Sequence, residues 1–339
     1  MPDSPPDRER RIEALLAAAG WGAATREPLP SDASFRHYVR LHGGPRPALL
    51  MDAPPPQEDV RPYVRVARHL LGLGFSPPEI FAEDVEAGLL VIEDFGDQTY
   101  TRRLAAGGDE AEMYALATDV LIALHRNAAA AAVERPTYDE PRLFRESSLL
   151  VDWYLPAIAG APTDPGLREE YRALWAGLIG LADAVPETLT LRDFHVDNLM
   201  WRAGQTGLAR CGLLDFQDAV IGPAAYDLVS LLEDARRDVP EPLIEAMTGR
   251  YLAAFPELDR AGFAAAAAML SAQRNCKIIG IFTRLCVRDG KPVYLKHIPR
   301  VWRWLERDLA HPALAPLKAW LDRVVPADAR RIPPVRPAA

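Results

Sequence analysis

Lysine is almost missing from this 339-residue chain: Lys277, Lys291, Lys296 and Lys318 are the only four, so the first 276 residues contain none. Cysteine is nearly as scarce. Cys211, Cys276 and Cys286 form no C-x-x-C pair and lack the histidine spacing of a zinc site, so they read as free thiols in a reducing compartment. No dense Lys/Arg run offsets the formal net charge of −8, and nucleic acid and anionic membrane are set aside as partners. No window approaches the roughly 20 apolar residues of a membrane span. The opening MPDSPPDRERRIEALLAAAGW carries charge where a secretory leader needs an apolar core, so a cytoplasmic protein is expected.

What is there reads as globular. The chain is 49% hydrophobic and 25% charged, and long enough for two lobes with a substantial core. After a Pro-rich start, DRERRIEALLAAAGWG predicts an amphipathic helix stopped by Gly20 and Gly22. FRHYVRL and ALLMD, joined by HGGPRP, predict a hairpin, EDVRPYVRVARHLLGLG a helix, and EIFAEDVEAGLLVIEDFGD two more strands around an EAG turn. Beyond residue 97 long helical patterns with alanine-rich faces take over, interrupted by a second strand pair, NLMWRA and CGLLDF. The expected class is α+β: a small β-rich lobe over 1–97, a larger mainly helical lobe over 98–330, and a frayed tail over 331–339. VIEDFGDQ would connect the lobes. No internal repeat appears.

One polar run, LRDFHVDNLMW, sits between apolar flanks. Asp193 is followed five positions later by Asn198, and the strand pair then ends in LLDFQD with Asp215. Phosphoryl transfer from ATP needs a carboxylate to take or orient the proton of the attacking hydroxyl, and oxygen ligands to hold Mg²⁺ on the phosphates. These three residues, in this order, supply those parts.

LRDFHVDN resembles the catalytic loop H-[RG]-D-x-x-x-x-N of the protein-kinase-like superfamily, with LLDFQ in the place of its D-F-G. The mid-loop histidine and the downstream GPAAYDLVSLL bring the chain nearer to the aminoglycoside phosphotransferase and choline kinase branch, over about residues 25 to 310. The resemblance implies a bilobal protein-kinase-like fold, Asp193 as catalytic base, and Asn198 and Asp215 as magnesium ligands. Leu191 departs from the usual histidine at a packing position. His195 either touches phosphate or satisfies the loop backbone. Arg192 is expected to pair with Asp227 and fix the loop, unless Asp227 is only a helix N-cap.

The larger departure is on the third strand, where kinases carry the lysine that holds the α- and β-phosphates. Here it reads ALLMD, with Met51 at the lysine position. The loop SDASFRHY stands where the glycine-rich loop belongs. Ser31, Ser34 and Phe35 would approach phosphates through backbone N–H groups, and Arg36 could bring the charge, with Arg40, Arg65 and Arg68 as competitors. Adenine is expected against the main chain of Glu93, Asp94 and Phe95.

SDASFR, LLMDAPP, LLDFQDAVIGPAAYDL and QRNCKIIGIFTRLCVRDGKPVYL together resemble the anomeric kinases of N-acetylmuramate and N-acetylglucosamine. That resemblance implies transfer from ATP to the C1 hydroxyl of an amino sugar in bacterial cell-wall recycling, with no obligate protein partner. For the sugar, FRESSLLVDWYLP offers Glu146, Asp152, Trp153 and Tyr154, the aromatic pair being either a sugar platform or helix core. Arg274 leads a local basic excess with Lys277, Arg284, Arg288 and Lys291, which suits a lactyl carboxylate or is a solvated face. The net negative charge keeps cationic aminoglycosides as rival substrates. The missing lysine keeps open a binding protein without catalysis.

Overall fold

The computed structural model describes residues 5–30 and 35–334. In chain order its elements begin with α1 (Pro5–Ala18), β1 (Thr25–Pro28), β2 (His37–His42), β3 (Ala48–Asp52), α2 (Arg61–Gly72), β4 (Ile80–Asp84) and β5 (Leu89–Glu93). Then come α3 (Tyr100–Ala105), α4 (Glu110–Arg126), α5 (Glu140–Ser147), α6 (Leu155–Ala159), α7 (Pro165–Leu178) and β6 (Glu187–Thr190). The chain continues through β7 (Leu199–Trp201), β8 (Cys211–Leu213), β9 (Val220–Pro223), α8 (Ala225–Leu232), α9 (Glu241–Ala254), α10 (Arg260–Val287), α11 (Ile298–Asp308) and α12 (Ala315–Val324). These form two compact units, one reaching to Glu134 and including Val196–Ala219, the other made of Arg135–His195 and the chain from Val220 on.

The first unit is built on an antiparallel sheet of order β1-β2-β3-β5-β4. Period-two alternation sorts its strands: Ala48 and Leu50 of β3 and Leu89 and Val91 of β5 join Ile12, Leu16 and Trp21 of the α1 segment in one apolar cluster. Burying each large side chain there contributes about 1.5–3 kcal/mol. Arg8 of α1 ties the helix to the edge of β3 through Asp52. Gly88, at φ +68°, closes the β4–β5 turn, where a Cβ would stand 2.0 Å from the Ala53 carbonyl oxygen. The strand pair β7–β8 belongs to this unit, because Leu213 N–H donates to the Ser76 carbonyl and Trp201 N–H to that of Gln98. Residues 98–134 and 196–219 therefore fold with the sheet, although a single cut after residue 97 assigns them to the helical lobe.

The second unit is helical apart from the β6–β9 pair. Its axis is α10, 28 residues long, buried over most of its length and capped by Asp259, whose carboxylate accepts from the N–H groups of Ala261 and Gly262. α8 stops at Leu232, and Glu233 is its C-cap. Arg331 is not frayed: its N–H and carbonyl both bond the Tyr154 hydroxyl, and Arg330 pairs with Glu306 and Asp322. Among the described residues no helix is long and apolar enough to cross a membrane.

Candidate active site

In the first unit a cavity of about 460 Å³ is lined by the sheet, the segment after β5, and the β7–β8 pair. Arg36, Tyr38 and Arg40 reach it with the period of a strand, and Leu49 lines it from β3. Met51 shares the face of Leu49 and is fully buried, so the usual lysine position is apolar here. At one end of the cavity Arg40 is clamped by Asp94, with Nε 2.6 Å from Oδ2, and by Asp97, with Nη2 3.0 Å from Oδ1. Glu93 and Asp94 line the cavity as expected, but their N–H groups are used by the carbonyls of Glu79 and Pro47, so these two N–H groups are not offered to a purine. Phe95 remains, covered by the Arg202 guanidinium at 4.2 Å while Arg202 also pairs with Glu93. Gly212 is required beneath it, since a Cβ there would stand 2.8 Å from the ring.

At the other end lie Asn198 and Asp215. Asp215 adopts φ +57°, an uncommon left-handed conformation that turns its carboxylate back toward Asn198. Asn198 Nδ2 stands 3.4 Å from Asp215 Oδ2, and Gln217 Nε2 donates to Oδ1 at 2.8 Å. Arg36 approaches the same Oδ1 with Nη2 at 3.3 Å. The Asp215 carboxylate, at a spot that already draws a cation, fits Mg²⁺, and Asn198 would join it with its amide turned so that the oxygen replaces Nδ2; few protein ligands are needed when phosphates supply the rest. Among the described residues no group of three or more His, Cys, Asp or Glu forms a closed metal cage. Ser31 and Ser34 lie outside the described residues; Phe35 follows them, 63% exposed.

Asp193 and His195 belong to the second unit. Arg192 is in the left-handed region at φ +70°, and the strained turn is pinned by Asp227, whose carboxylate accepts from Leu191 N–H at 2.6 Å and Arg192 N–H at 2.8 Å. The expected Arg192–Asp227 link thus runs through the backbone; the Arg192 guanidinium pairs with Glu146 instead. Asp227 is not the N-cap of α8, a position held by Ala224. Glu146 also takes Lys277 Nζ at 3.1 Å and the Tyr138 hydroxyl, so its carboxylate anchors protein cations rather than waiting for a sugar hydroxyl.

These charges act on Asp193. Burial pushes its carboxyl up, but Lys277, Arg192 and Arg274 outweigh that and hold it below the ordinary carboxylate range. Burial opposes the charge of Lys277 too, yet Tyr226, Glu146 and Asp193 keep it protonated. His195 is buried and its pKa is lowered, chiefly by desolvation, so it is neutral near pH 7. Arg274 donates to the Glu233 carbonyl at 3.1 Å. Next to it, the 1%-exposed Asp234 accepts the Arg236 N–H with one oxygen, while the other has no hydrogen-bond partner among the described residues.

Three expectations for the sugar side need correction. Tyr154 is no platform: it is fully buried, its hydroxyl bonds the Ala329 and Arg331 carbonyls, and its ring packs 5.5 Å from Trp302. Asp152 pairs with Arg168 of α7, and Trp153 is half-buried beside it in a π-helical turn, Leu150–Tyr154. The basic excess is not one face, since Arg274 and Lys277 point inward while Arg288 is exposed on Asp289. Sequence reasoning placed Lys277 in a basic excess read as a carboxylate partner or a solvated face, not beside Asp193, and did not single out Glu58 or Tyr138. A lone lysine in the middle of an apolar helix was the available signal for the first.

A family model described as the phosphotransferase enzyme family matches residues 25–264. An N-acetylmuramate/N-acetylglucosamine kinase of Caulobacter vibrioides is 40% identical over 96% of this chain and 99% of its own length. Among solved structures, a choline/ethanolamine kinase family protein from Mesorhizobium loti superposes with a TM-score of 0.60 at 16% identity, covering 93% of this chain and 99% of that one. A ternary complex of streptomycin, ATP and APH(2″)-IIa gives 0.55 at 14% identity, covering 92% and 98%. Those likenesses bear on the fold: a small antiparallel-sheet N-terminal lobe and a mainly helical C-terminal lobe, as in the protein-kinase-like class.

Proposed function

Because the chain belongs to the phosphotransferase enzyme family, we propose that it moves the γ-phosphoryl group of ATP to the anomeric C1 hydroxyl of N-acetylmuramate, N-acetylglucosamine or both. The observation that carries the reading is Asp193, a carboxylate kept ionised by Lys277 and Arg192 and placed five residues before Asn198. The first unit supplies the donor side: purine against Phe95, phosphates toward Arg36, and a divalent cation on Asn198 and Asp215. Bound magnesium would neutralise charge on the β- and γ-phosphates. Asp193 takes the C1 hydroxyl proton as the oxygen attacks. An anomeric hydroxyl is more acidic than an ordinary alcohol, so positioning and one carboxylate suffice. Glu146 fixes Arg192 and Lys277, and Asp227 fixes the loop. ATP as donor fits a cytoplasmic role in recycling wall sugars.

The test is ³¹P NMR with ATP and Mg²⁺ and, in separate tubes, N-acetylmuramate, N-acetylglucosamine, kanamycin or choline. A sugar 1-phosphate resonance is expected from one or both sugars, reduced about 10²–10⁴-fold in Asp193→Ala. Product from kanamycin alone would move the reading to antibiotic modification. Intact ATP in every tube would favour a binding protein.

A further inference from the structure

We infer that Arg36, held by Glu58, takes over at the triphosphate the task that kinases give to a third-strand lysine, and that it does so by moving off Asp215. The inference rests on the nucleotide reading above and adds the identity and motion of its phosphate-binding cation. The cavity-lining cations among the described residues are Arg36, Arg40 and Arg102. Arg40 is engaged by Asp94 and Asp97 beside Phe95, and Arg102 lies at the rim near Asp97, 66% exposed. Of the other sequence candidates, Arg65 pairs with Glu134 and Arg68 with Glu83, both partly in solvent and neither lining the cavity.

Arg36 differs from these in place and in support. Its side chain is 14% exposed, and Nη2 is 3.3 Å from Asp215, the residue assigned to the metal. Its Nε lies 3.8 Å from Glu58 Oε2, while Glu58 Oε1 accepts the Phe35 N–H at 3.3 Å. One carboxylate therefore holds both the guanidinium and the backbone that carries it. Kinases build this pair from a strand lysine and a helix glutamate; here an arginine just before β2 and a glutamate just before α2 stand in. A guanidinium suits the exchange, because its planar fork grips phosphate oxygens with two parallel bonds and stays charged at any working pH.

Arg36 and a divalent cation cannot share Asp215 Oδ1, since like charges at contact distance repel. Metal on Asp215 displaces the guanidinium, and nucleotide phosphates receive it, with Glu58 as the tether. Arg36 thus competes with the bare metal and cooperates with the metal–nucleotide complex. Those effects have opposite signs, which a purely structural role would not produce.

The experiment compares wild type, Arg36→Ala, Arg36→Lys, Glu58→Gln and the Arg36→Ala/Glu58→Gln double variant. Mn²⁺ alone is followed by electron paramagnetic resonance, and adenosine and Mn²⁺·AMP-PNP by calorimetry, with thermal melts to confirm folding. Arg36→Ala is expected to bind Mn²⁺ alone several-fold more tightly, Mn²⁺·AMP-PNP at least tenfold more weakly, and adenosine as wild type does. Arg36→Lys should recover part of the loss. Glu58→Gln should weaken AMP-PNP a few-fold and add nothing to Arg36→Ala. Arg36→Ala binding AMP-PNP within twofold of wild type, or losing Mn²⁺ and adenosine together, overturns the inference. A wild type that binds no AMP-PNP overturns the nucleotide reading itself, a distinguishable result.

Discussion

At the scale of single residues, Asp227 shows how one buried carboxylate is asked for two opposed things. Burial pushes its pKa up to about 7, against the pull of the Leu191 and Arg192 N–H groups, which favour the charged form. The folded protein therefore holds this proton to about pH 7, whereas the unfolded chain releases it near 3.9. Stability linked to the group falls as pH rises between those values, by roughly 4 kcal/mol in all, and is flat above. The loop bonds strengthen only as pH passes about 7, where the folded Asp227 ionises, because a carboxylate accepts better than a carboxylic acid. Asp227→Asn should flatten that part of the stability slope, measured by melts from pH 5 to 8, and lower kcat/KM at least tenfold by losing one acceptor. Sequence reasoning linked Asp227 with Arg192 but through the wrong atoms, since spacing does not reveal whether a side chain or its backbone makes the bond. Glu58 was illegible for a related reason: its partners, Phe35 and Arg36, lie 23 and 22 positions away, and no local pattern marks them.

Among elements, strands and turns were the readable part. Both hairpins fall where alternation and turn residues put them, and α1, α2, α4, α7, α9 and α10 follow their apolar periods. The hidden features depend on tertiary closeness. β6 and β9 pair across 29 intervening residues, and the chain entering the π-helical turn Leu150–Tyr154 packs against Gly280 of α10. A Cβ on Gly280 would stand 2.3 Å from the Leu149 carbonyl carbon and oxygen, backbone atoms that cannot swing aside. Gly280→Ala should therefore cost about 1–3 kcal/mol despite alanine's better helix propensity, read as a lower urea midpoint with an unchanged m-value. Unchanged or increased stability would show that the two elements are not in such contact.

The molecule as a whole keeps its charge in arginine–carboxylate pairs near the surface, each worth about 0–1 kcal/mol, and places a costlier set inside the second unit. There Glu233 and Asp308 share Asn275, whose Nδ2 is 3.4 Å from Glu233 Oε2 and 2.9 Å from Asp308 Oδ2, and Ser271 bonds Glu233. Desolvation raises both acids, and the Glu233 carboxylate raises Asp308 further. The folded pair retains a proton that the unfolded chain releases, so stability declines as pH climbs from the ordinary carboxylate range. Asp308→Asn should gain on wild type between pH 5 and pH 8 in thermal melts; an equal difference at both values would mean the pair holds no extra proton. The two-lobed class was legible because kinase motifs are ordered along the chain, whereas the return of β7–β8 to the sheet unit was not. The lysine-free first unit has a last consequence, for covalent chemistry. Acyl-phosphate nucleotides and aldehyde warheads find ATP sites by capturing a primary amine beside the phosphates, and residues 1–276 hold no lysine. Cys211 offers no substitute, buried with its thiol pushed up to about 12. A survey based on amine capture would pass this cavity by, and a dicarbonyl that condenses with a guanidinium is the reagent its chemistry calls for.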